Sequence, residues 1–384
     1  MARPLVAEID LAALRHNYQL ALDCSPAGTA VAVIKANAYG HGAIAVAAAL
    51  ADLAPAFAVA CIEEADELVA AGIRQPILLL EGFFTADELP RILRHGYEIV
   101  LHSGWQLEQL AAFLAGLQVT DAVLNIWLKV DTGMHRLGFA VEEAAMVYRR
   151  LQTLPAIGKI TLTSHLACAD DLSSGTTPAQ LQRLQALQQE LDCPLSLANS
   201  PAIMGWPAAR QGWLRPGIML YGASPLGAEQ AQSGQLQPVM RLRSELISVR
   251  WLPAGEAVGY GARFVTQRPT RIGVVACGYG DGYPRHAREG TPVLVNGVRC
   301  RLAGRVSMDM LTVDLSACPD AQVGDEVELW GAELPVNEVA EHCDTISYTL
   351  LTGLLPRVPR RYLQMDVQKV TDGRLEQVEA AMPR

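Results

Sequence analysis

Charged and polar side chains recur at the ends of short apolar runs in this sequence. The residues just beyond these runs are Lys35, Glu63, Glu81, His102, Asp131, His165 and Asn199, and Arg215 shortly precedes the last run. In barrel enzymes the strand ends meet at one face, which carries the catalytic groups. We therefore expect several of these side chains to share one site. Glu63 and Glu81 are exceptions, because a carboxylate there is more typical of the first turn of a helix.

Lys35 stands in the segment VIKANAYGHG, where it ends an apolar run. A strand-end lysine that reaches solvent is one interpretation. The other is an amine whose pKa is lowered at an apolar barrel mouth and which forms a Schiff base with a carbonyl. The glycines after Tyr39 permit tight turns and close backbone approach, which favours a binding site. The segment has neither the Gly-Lys-Ser/Thr of a phosphate loop nor a GxGxxG pattern.

The elements that must position these residues alternate regularly from residue 31 to residue 221. The apolar runs are Val31–Lys35, Phe57–Cys61, Ile77–Leu80, Glu98–Leu101, Leu124–Val130, Ile160–Ser164, Leu195–Ala198 and Ile218–Tyr221. Helical periodicity separates them, for example over Ala43–Leu53, Glu63–Ala71, Ala86–Arg94, Val141–Leu151 and Ala179–Leu191. Eight such strand and helix units predict a parallel (β/α)8 barrel rather than an open doubly wound sheet.

The pattern changes near Pro238, where the runs become shorter and are separated by glycine. The predicted strands there are Arg241–Trp251, Ile272–Ala276, Val293–Val295, Leu311–Val313 and Val327–Leu329, with one helix at Val336–His342. The predicted fold class is therefore α/β, with an N-terminal (β/α)8 TIM-like barrel and a C-terminal mostly-β domain. We expect residues 11–236 to form the barrel, and residues 1–10 and 237–384 to form the mostly-β domain.

Composition and charge exclude several classes of function. The 384 residues are 50% hydrophobic and carry a net charge of −9, which argues against nucleic acid as a partner. The eight cysteines form no CxxC pair, as expected of thiols in a reducing compartment. We expect a cytoplasmic protein without a membrane segment, because Asp52 and Pro55 split the most apolar stretch and the opening MARPLVAEIDL lacks a signal-like core.

Several long segments, in the same order along the chain, resemble those of a known family. VIKANAYGHG is similar to the lysine motif that binds pyridoxal phosphate (PLP) in alanine racemases, which are fold-type III enzymes. The segments RPLVAEIDLAALRHN, LKVDTGMHRLGF, SHLA, ANSPA, RPGIMLYG, VGYGARF, GYGDGYPR, GRVSMDM and LTGLLPRVPR also resemble blocks of that family. The resemblance covers nearly the whole chain and implies a PLP-dependent racemase that interconverts L- and D-alanine.

The resemblance also implies how the cofactor is held. Lys35 corresponds to the Schiff-base lysine, and the other implied cofactor residues are Tyr39, Asn199, Ser200, Arg215, Gly217, Ile218 and Tyr348. Arg215 matches the residue that faces the pyridine nitrogen. An arginine only donates hydrogen bonds, so the ring nitrogen would stay unprotonated and the electron sink would be weaker. We expect this arrangement to suppress transamination.

Racemisation needs a proton removed from one face of Cα and returned to the other, and two bases accomplish this. By resemblance, Lys35 serves D-alanine and Tyr260, reaching in from the other subunit, serves L-alanine. The implied assembly is a head-to-tail homodimer with shared sites. The resemblance adds His165 and Arg136 to the catalytic set, His165 as the neighbour that favours the Tyr260 phenolate. It assigns Arg136, Met308, Asp309 and Tyr279 to substrate binding or the entrance, and it makes Lys129 a candidate for carbamylation.

Three alternatives stay open at this point. A racemase of broader range, acting on serine, lysine or arginine, would share the fold and the cofactor. A non-catalytic PLP-binding barrel would explain Lys35 but not Tyr260. A metal-assisted aldolase or dehydratase would need a ligand cluster, for which His286, His342 and Cys343 are too sparse. Supply of D-alanine to the cell wall and catabolism of alanine are both compatible with the sequence.

Overall fold

The computed structural model describes residues 3–25, 28–117, 122–226 and 233–363. Eight strands run parallel to their neighbours around a barrel: Thr29–Val33, Ala56–Val59, Ile77–Leu79, Glu98–Leu101, Leu124–Asp131, Ile157–Thr163, Leu195–Ser196 and Trp213–Leu214. The last strand pairs with the first, with Leu214 opposite Ala30. Bridges between Ser196 and Gly212 and between Asn199 and Arg215 join the last two strands. The predicted barrel is confirmed.

The eighth barrel strand differs from the prediction. Ile218–Tyr221 forms a 3₁₀ helix, and Trp213–Leu214 supplies the strand instead. The whole run is buried, and a short apolar run that is buried on all sides has no periodicity to separate strand from helix. The backbone of Gly217, at φ −119° and ψ −97°, interrupts the extended chain just before the run.

Helices cover the outside of the barrel and confirm most of the predicted ones, with ends shifted by a few residues. They span Leu11–Asp23, Ala43–Leu50, Ile62–Ala70, Leu89–His95, Gly104–Ala115, Val141–Thr153, Thr176–Leu191 and Ser200–Gly205. The predicted helix Ala86–Arg94 begins as a 3₁₀ turn, Ala86–Glu88. Glu63 lies in the first turn of its helix, as expected. The prediction for Glu81 was wrong, because a turn at Gly82 follows it and no helix begins there.

A second, mostly antiparallel sheet contains the remaining long strands. They are Val6–Asp10, Met240–Leu252, Thr270–Val275, Pro292–Val295, Val298–Leu302, Leu311–Asp314, Glu326–Trp330 and Arg360–Leu363. Met240–Leu252 is the central strand, since it pairs with three others, Val6–Asp10 among them. The helices Val336–His342 and Ser347–Thr352 lie near this sheet in sequence, and only the first was predicted. The domain boundaries at residues 10 and 236 stay a prediction.

The core explains why these runs become strands and helices. The barrel strands are buried on both faces, which suits their continuous runs of alanine, valine, leucine and isoleucine. One large apolar cluster extends through the barrel and into the second sheet. A small separate cluster of Val258, Phe264, Ile272 and Ala303 lies under the loop that carries Tyr260. No helix in the described ranges is long and apolar enough to cross a membrane, and all eight cysteines are free thiols.

Candidate active site

A cavity of about 620 Å³ opens at the carboxyl ends of the barrel strands. Among its lining residues are eleven that the sequence singled out: Lys35, Tyr39, Lys129, Arg136, His165, Asn199, Ser200, Arg215, Gly217, Ile218 and Tyr348. They come from at least six separate strands or loops. The barrel and the helix Ser347–Thr352 therefore bring residues more than 300 positions apart into one site.

Lys35 does not end the first barrel strand, as predicted, but begins a left-handed turn two residues beyond it. Ala36, Asn37, Ala38 and Tyr39 all have φ between 51° and 53°. Each L-residue in this conformation costs roughly 1–2 kcal/mol. Such a turn persists only where its surroundings hold it, and runs of strained backbone are found at functional sites.

The contacts that hold this turn are polar and specific. Glu64 accepts hydrogen bonds from the amides of Ala36 (2.6 Å) and Ala60 (2.8 Å), and so ties the turn to the second barrel strand. The side chain of Asn37 accepts from the Ala43 amide at 2.8 Å. A Cβ at Gly40 would lie 2.1 Å from the Leu351 carbonyl oxygen, so this position requires glycine. The sequence pointed to the glycines, but not to Glu64.

Arg215 is a buried guanidinium with which no carboxylate of the described residues forms an ion pair. It is 7% exposed. One terminal nitrogen donates to the hydroxyls of Thr163 (3.1 Å) and Ser196 (2.5 Å), and the other to the carbonyls of Ser164 (2.6 Å) and Leu197 (3.2 Å). Burial lowers its pKa to about 10. Its Nε–H has no acceptor among the described residues, although the side chain lines the cavity. The arginine is thus held by four hydrogen bonds, and its Nε–H remains available as a donor.

A group of neutral donors lines the same cavity. The Ser200 hydroxyl oxygen accepts from the Gly217 amide (2.9 Å) and the Met219 amide (3.3 Å). In the described part of the chain, the hydroxyls of Tyr39 and Tyr348 and the Ile218 amide have no acceptor. Burial raises the pKa of Tyr39 to about 12 and raises that of Tyr348 further, so both remain donors. A Cβ on Gly217 would lie 2.8 Å from the Tyr39 hydroxyl, which would fill this space.

Such a group suits a phosphate. Anion sites in proteins are built from amides and hydroxyls as readily as from lysine. Tyr39 is fixed from behind by stacking on Tyr221, with ring centroids 4.7 Å apart. These residues could therefore hold the phosphate of PLP, and Arg215 and Lys35 would be available to its ring nitrogen and its carbonyl carbon.

Positive charge dominates the cavity and perturbs two of its groups. Burial, followed by the charges of Arg215, Arg136 and Lys35, lowers the pKa of Lys129 to about 8. Burial and the same kind of neighbours hold the pKa of His165 well below its usual value, so its imidazole is neutral. Glu81 is the carboxylate that lines this cavity, a role that the sequence did not suggest.

Arg136 reaches the cavity from an exposed loop beyond the fifth barrel strand. Asp131 shapes that loop, because its Oδ1 accepts the amides of Gly133, Met134 and His135 at 3.0–3.1 Å. Asp131 is therefore a residue that fixes the backbone before Arg136, rather than a member of the cavity wall.

Four predicted site residues do not line this cavity. Tyr260, in a 3₁₀ turn between Ala257–Val258 and Phe264–Val265, is 68% exposed, and Met308, in the loop before the strand Leu311–Asp314, is 54% exposed. Asp309 forms an ion pair with Arg357 at 2.8 Å. Tyr279 lies beneath the Arg285 guanidinium, 5.9 Å from the ring centroid. None of these four side chains is thus among the lining residues of the cavity that contains Lys35 of the same chain.

Among the described residues, no three histidine, cysteine, aspartate or glutamate side chains are grouped so that they could hold a metal ion.

The chain was compared with protein families and with known proteins. The family model for the N-terminal domain of alanine racemase matches residues 9–225, and that for the C-terminal domain matches residues 239–362. The alanine racemase of Chromohalobacter salexigens is 56% identical over 363 residues, which are 94% of this chain and 98% of that protein. The catabolic alanine racemase of Pseudomonas putida is 53% identical over 361 residues, 94% of this chain and 99% of that protein.

Solved structures of alanine racemases are also similar to this chain. The biosynthetic alanine racemase of Pseudomonas aeruginosa superimposes with a TM-score of 0.90 at 52% identity, covering 94% of this chain and all of that one (100%). The alanine racemase of Bartonella henselae with covalently bound pyridoxal phosphate gives a TM-score of 0.85 at 31% identity, covering 94% of this chain and 99% of that one.

Proposed function

Because the chain belongs to the alanine racemase family, whose members are isomerases acting on amino acids, we propose that it interconverts L- and D-alanine with PLP bound at Lys35. The observation that carries this proposal is the composition of the barrel cavity. It combines an amine, a group of neutral phosphate donors, and a buried arginine with a free Nε–H.

The cofactor is held by residues of one chain. Lys35 Nζ is the point of attachment, and the hydroxyls of Tyr39, Ser200 and Tyr348 with the amides of Gly217 and Ile218 hold the phosphate. Asn199 contributes indirectly, because its side chain accepts from the Ala202 amide at 3.3 Å and caps the helix that begins at Ser200. Bound PLP supplies an electron sink that weakens the Cα–H bond of the substrate amine. Arg215 would keep that sink moderate, because its Nε–H is available to donate to the ring nitrogen.

Two bases on opposite faces exchange the proton. Lys35 Nζ accepts the proton from Cα of D-alanine and returns one to that face, while Tyr260 Oη does the same for L-alanine. His165 supports the Tyr260 phenolate, because the N–H of its neutral imidazole can donate a hydrogen bond to the phenolate oxygen. Arg136 extends from the rim toward the reacting groups.

The active unit is a head-to-tail homodimer. Tyr260 is exposed in the single chain, and so are Trp251 (66%), in the strand Met240–Leu252, and Met310 (43%), just before the strand Leu311–Asp314. Large apolar side chains left exposed are candidates for an interface where they form one surface. A second copy, packed on the barrel mouth, would bring Tyr260, Tyr279, Met308 and Asp309 to the substrate. A site closed by these side chains favours a substrate as small as alanine.

Lys129 is carbamylated in the working enzyme. Its lowered pKa leaves a large neutral fraction near pH 8, and only the neutral amine reacts with CO₂. The carbamate would replace one of several clustered cations by an anion that accepts from Arg136.

The metabolic role has two candidates, since relatives include both catabolic and biosynthetic alanine racemases. A cytoplasmic location remains our expectation. A racemase of broader range is the alternative for this cavity, and activity on a panel of serine, lysine and arginine separates it from the alanine enzyme.

The direct test uses the purified protein with L- and with D-alanine in D₂O. We expect deuterium at Cα of both enantiomers and convergence to a racemic mixture, and we expect borohydride reduction to leave a pyridoxyl group on the peptide that contains Lys35. A pyridoxyl group on another lysine would refute the assignment of the site. Bound cofactor without exchange in either enantiomer would favour the non-catalytic PLP-binding barrel.

A further inference from the structure

Gln180 is a buried polar residue that neither the cavity nor the family segments drew attention to. It projects from the helix Thr176–Leu191, it is 0% exposed, and it does not line the cavity. A buried glutamine is costly unless its amide is fully hydrogen-bonded. Gln180 meets this condition entirely with the loops that carry the catalytic groups.

Its amide pairs with the backbone on both sides of Leu166, immediately after His165. Nε2 donates to the His165 carbonyl at 3.0 Å, and Oε1 accepts from the Ala167 amide at 2.9 Å. A neighbouring strand would form the same two hydrogen bonds with this backbone, but here a single side chain forms both. The His165 imidazole has no hydrogen bond among the described residues, so its position depends on its own backbone and on packing.

A second set of bonds extends from Gln180 to the neighbouring strand. Nε2 also donates to the Thr132 hydroxyl (3.1 Å), which is 2.8 Å from the Ser164 hydroxyl. Ser164 Oγ in turn donates to the Val130 carbonyl at 2.7 Å. Because an amide nitrogen only donates and a carbonyl only accepts, the direction of this chain is fixed. Thr132 directly follows the strand that carries Lys129.

The same network reaches Arg215. The carbonyl of Ser164 accepts from the Arg215 guanidinium at 2.6 Å. Ser164 and His165 are consecutive, so a shift of this segment would move the imidazole and loosen the arginine together.

We propose that Gln180 is a positioning residue for His165, and through His165 for proton transfer at the face served by Tyr260. This inference rests on the proposed racemase function. Gln180 touches neither substrate nor cofactor. It holds the segment 164–167 so that the imidazole meets the Tyr260 hydroxyl of a second copy.

The position of His165 relative to Tyr260 decides which proton transfer limits the rate. A displaced His165 slows the step at Tyr260 more than the step at Lys35. In L-alanine labelled with deuterium at Cα, the isotope effect on kcat/KM should then rise, because Tyr260 removes that hydrogen. In labelled D-alanine it should fall towards unity, because Lys35 removes that hydrogen in a step that no longer limits the rate.

The test compares Gln180→Met with Gln182→Met, an exposed glutamine of the same helix. We expect Gln180→Met to lower kcat/KM by about 10²-fold, the usual effect of misplacing a catalytic group by about an ångström. We expect the opposite changes in the two isotope effects, and a shifted His165 signal in spectra of ¹⁵N-histidine-labelled protein. Gln182→Met should match the wild type in all three measurements.

Gln180→Glu provides a conservative second variant. A protonated carboxyl restores one donor and one acceptor, whereas the carboxylate faces the His165 carbonyl. Burial raises the pKa of such a carboxyl, so activity should recover as pH falls, in contrast to the wild type.

Loss of activity in Gln180→Met with unchanged isotope effects, or full activity in that variant, would overturn the proposal. Unfolding of both variants would also overturn it, because Gln180 would then serve the fold alone. Wild-type protein without racemisation would instead refute the proposed function, and it is measured first on the same preparation.

Discussion

The barrel rim around Lys35 and the loop that carries Tyr260 differ in how firmly this chain holds them. At the rim, Glu64 and Asn37 fix the left-handed turn after Lys35, and four hydrogen bonds fix Arg215. The Tyr260 loop packs on a small cluster of its own, and the phenol is 68% exposed.

The difference shows which part of the proposed active site a single chain supplies. A rigid, buried rim is what a covalently attached cofactor needs, since catalysis depends on preorganised geometry. An exposed phenol between Gly259 and Gly261 has no such support within its own chain. In our proposal a second copy provides it, so the cofactor half of the site is intramolecular and the second base is not.

The largest expected effect follows from removing the amine at the rim. Lys35→Ala should eliminate covalently bound PLP and reduce racemisation by about 10⁴-fold or more, because the attachment point and one base disappear together. Activity is measured by enantiomer-resolved chromatography, and bound cofactor by absorbance. Lys159→Ala, which removes an exposed lysine of the barrel surface, should leave both unchanged. If Lys35→Ala retained covalent cofactor, Lys35 would not be the attachment point, and the contrast between the barrel rim and the Tyr260 loop would fail.

Tyr260→Phe should separate the two regions. We expect racemisation to fall by about 10³-fold while cofactor binding stays at the wild-type level, because the rim is untouched. Lys35 should still exchange the Cα proton of D-alanine with D₂O, without inversion, and L-alanine should not exchange. These rates are followed by proton NMR. Equal loss of exchange from both enantiomers would contradict the assignment of one base to each face.

Gly217→Ala tests the rim at the phosphate end. The new methyl group would lie 2.8 Å from the Tyr39 hydroxyl, so the ring or the cofactor must shift. We expect PLP affinity to fall by about 30-fold, or ~2 kcal/mol. Equilibrium dialysis against PLP measures it. The control is Gly234→Ala, where the added methyl has open space around it. An unchanged dissociation constant would show that the phosphate lies elsewhere.

Loss of the Lys129 carbamate has the smallest expected effect on activity, and formation of this carbamate should depend on pH. The pKa of Lys129 is lowered to about 8, so at constant CO₂ pressure carbamate formation should increase between pH 7 and pH 9, as the neutral amine increases. Exhaustive removal of CO₂ should reduce kcat/KM by about tenfold, the value of one charge-assisted hydrogen bond. A carbamate signal in ¹³C NMR with labelled bicarbonate, absent from Lys129→Met, checks this. No signal in the wild type would refute the carbamate.

The sequence predicted much of the barrel because its strands are buried on both faces and therefore form uninterrupted apolar runs. It failed at Ile218–Tyr221, where burial on all sides conceals whether the run is helix or strand. It could not predict the left-handed turn, since Ala36 and Ala38 carry no local signal for positive φ. The side chains that line the cavity followed from strand ends and from family segments. Glu64 and Gln180 did not, because they act through backbone atoms that are distant in sequence.

The residue type of Tyr260 also did not predict that its side chain is exposed. A tyrosine between two glycines is consistent with a turn of any kind. Its importance came only from the resemblance, and the structure adds that its own chain leaves it at the surface.

The most direct test of a shared site mixes two inactive variants. Lys35→Ala and Tyr260→Phe subunits are unfolded together, refolded at equal concentration and assayed for racemisation. In a head-to-tail dimer each hybrid contains one site with both Lys35 and Tyr260 intact, so random pairing should restore about a quarter of the wild-type activity. Each variant refolded alone should remain inactive. A mixture as inactive as its components would contradict the account, because each site would then draw both bases from the same chain.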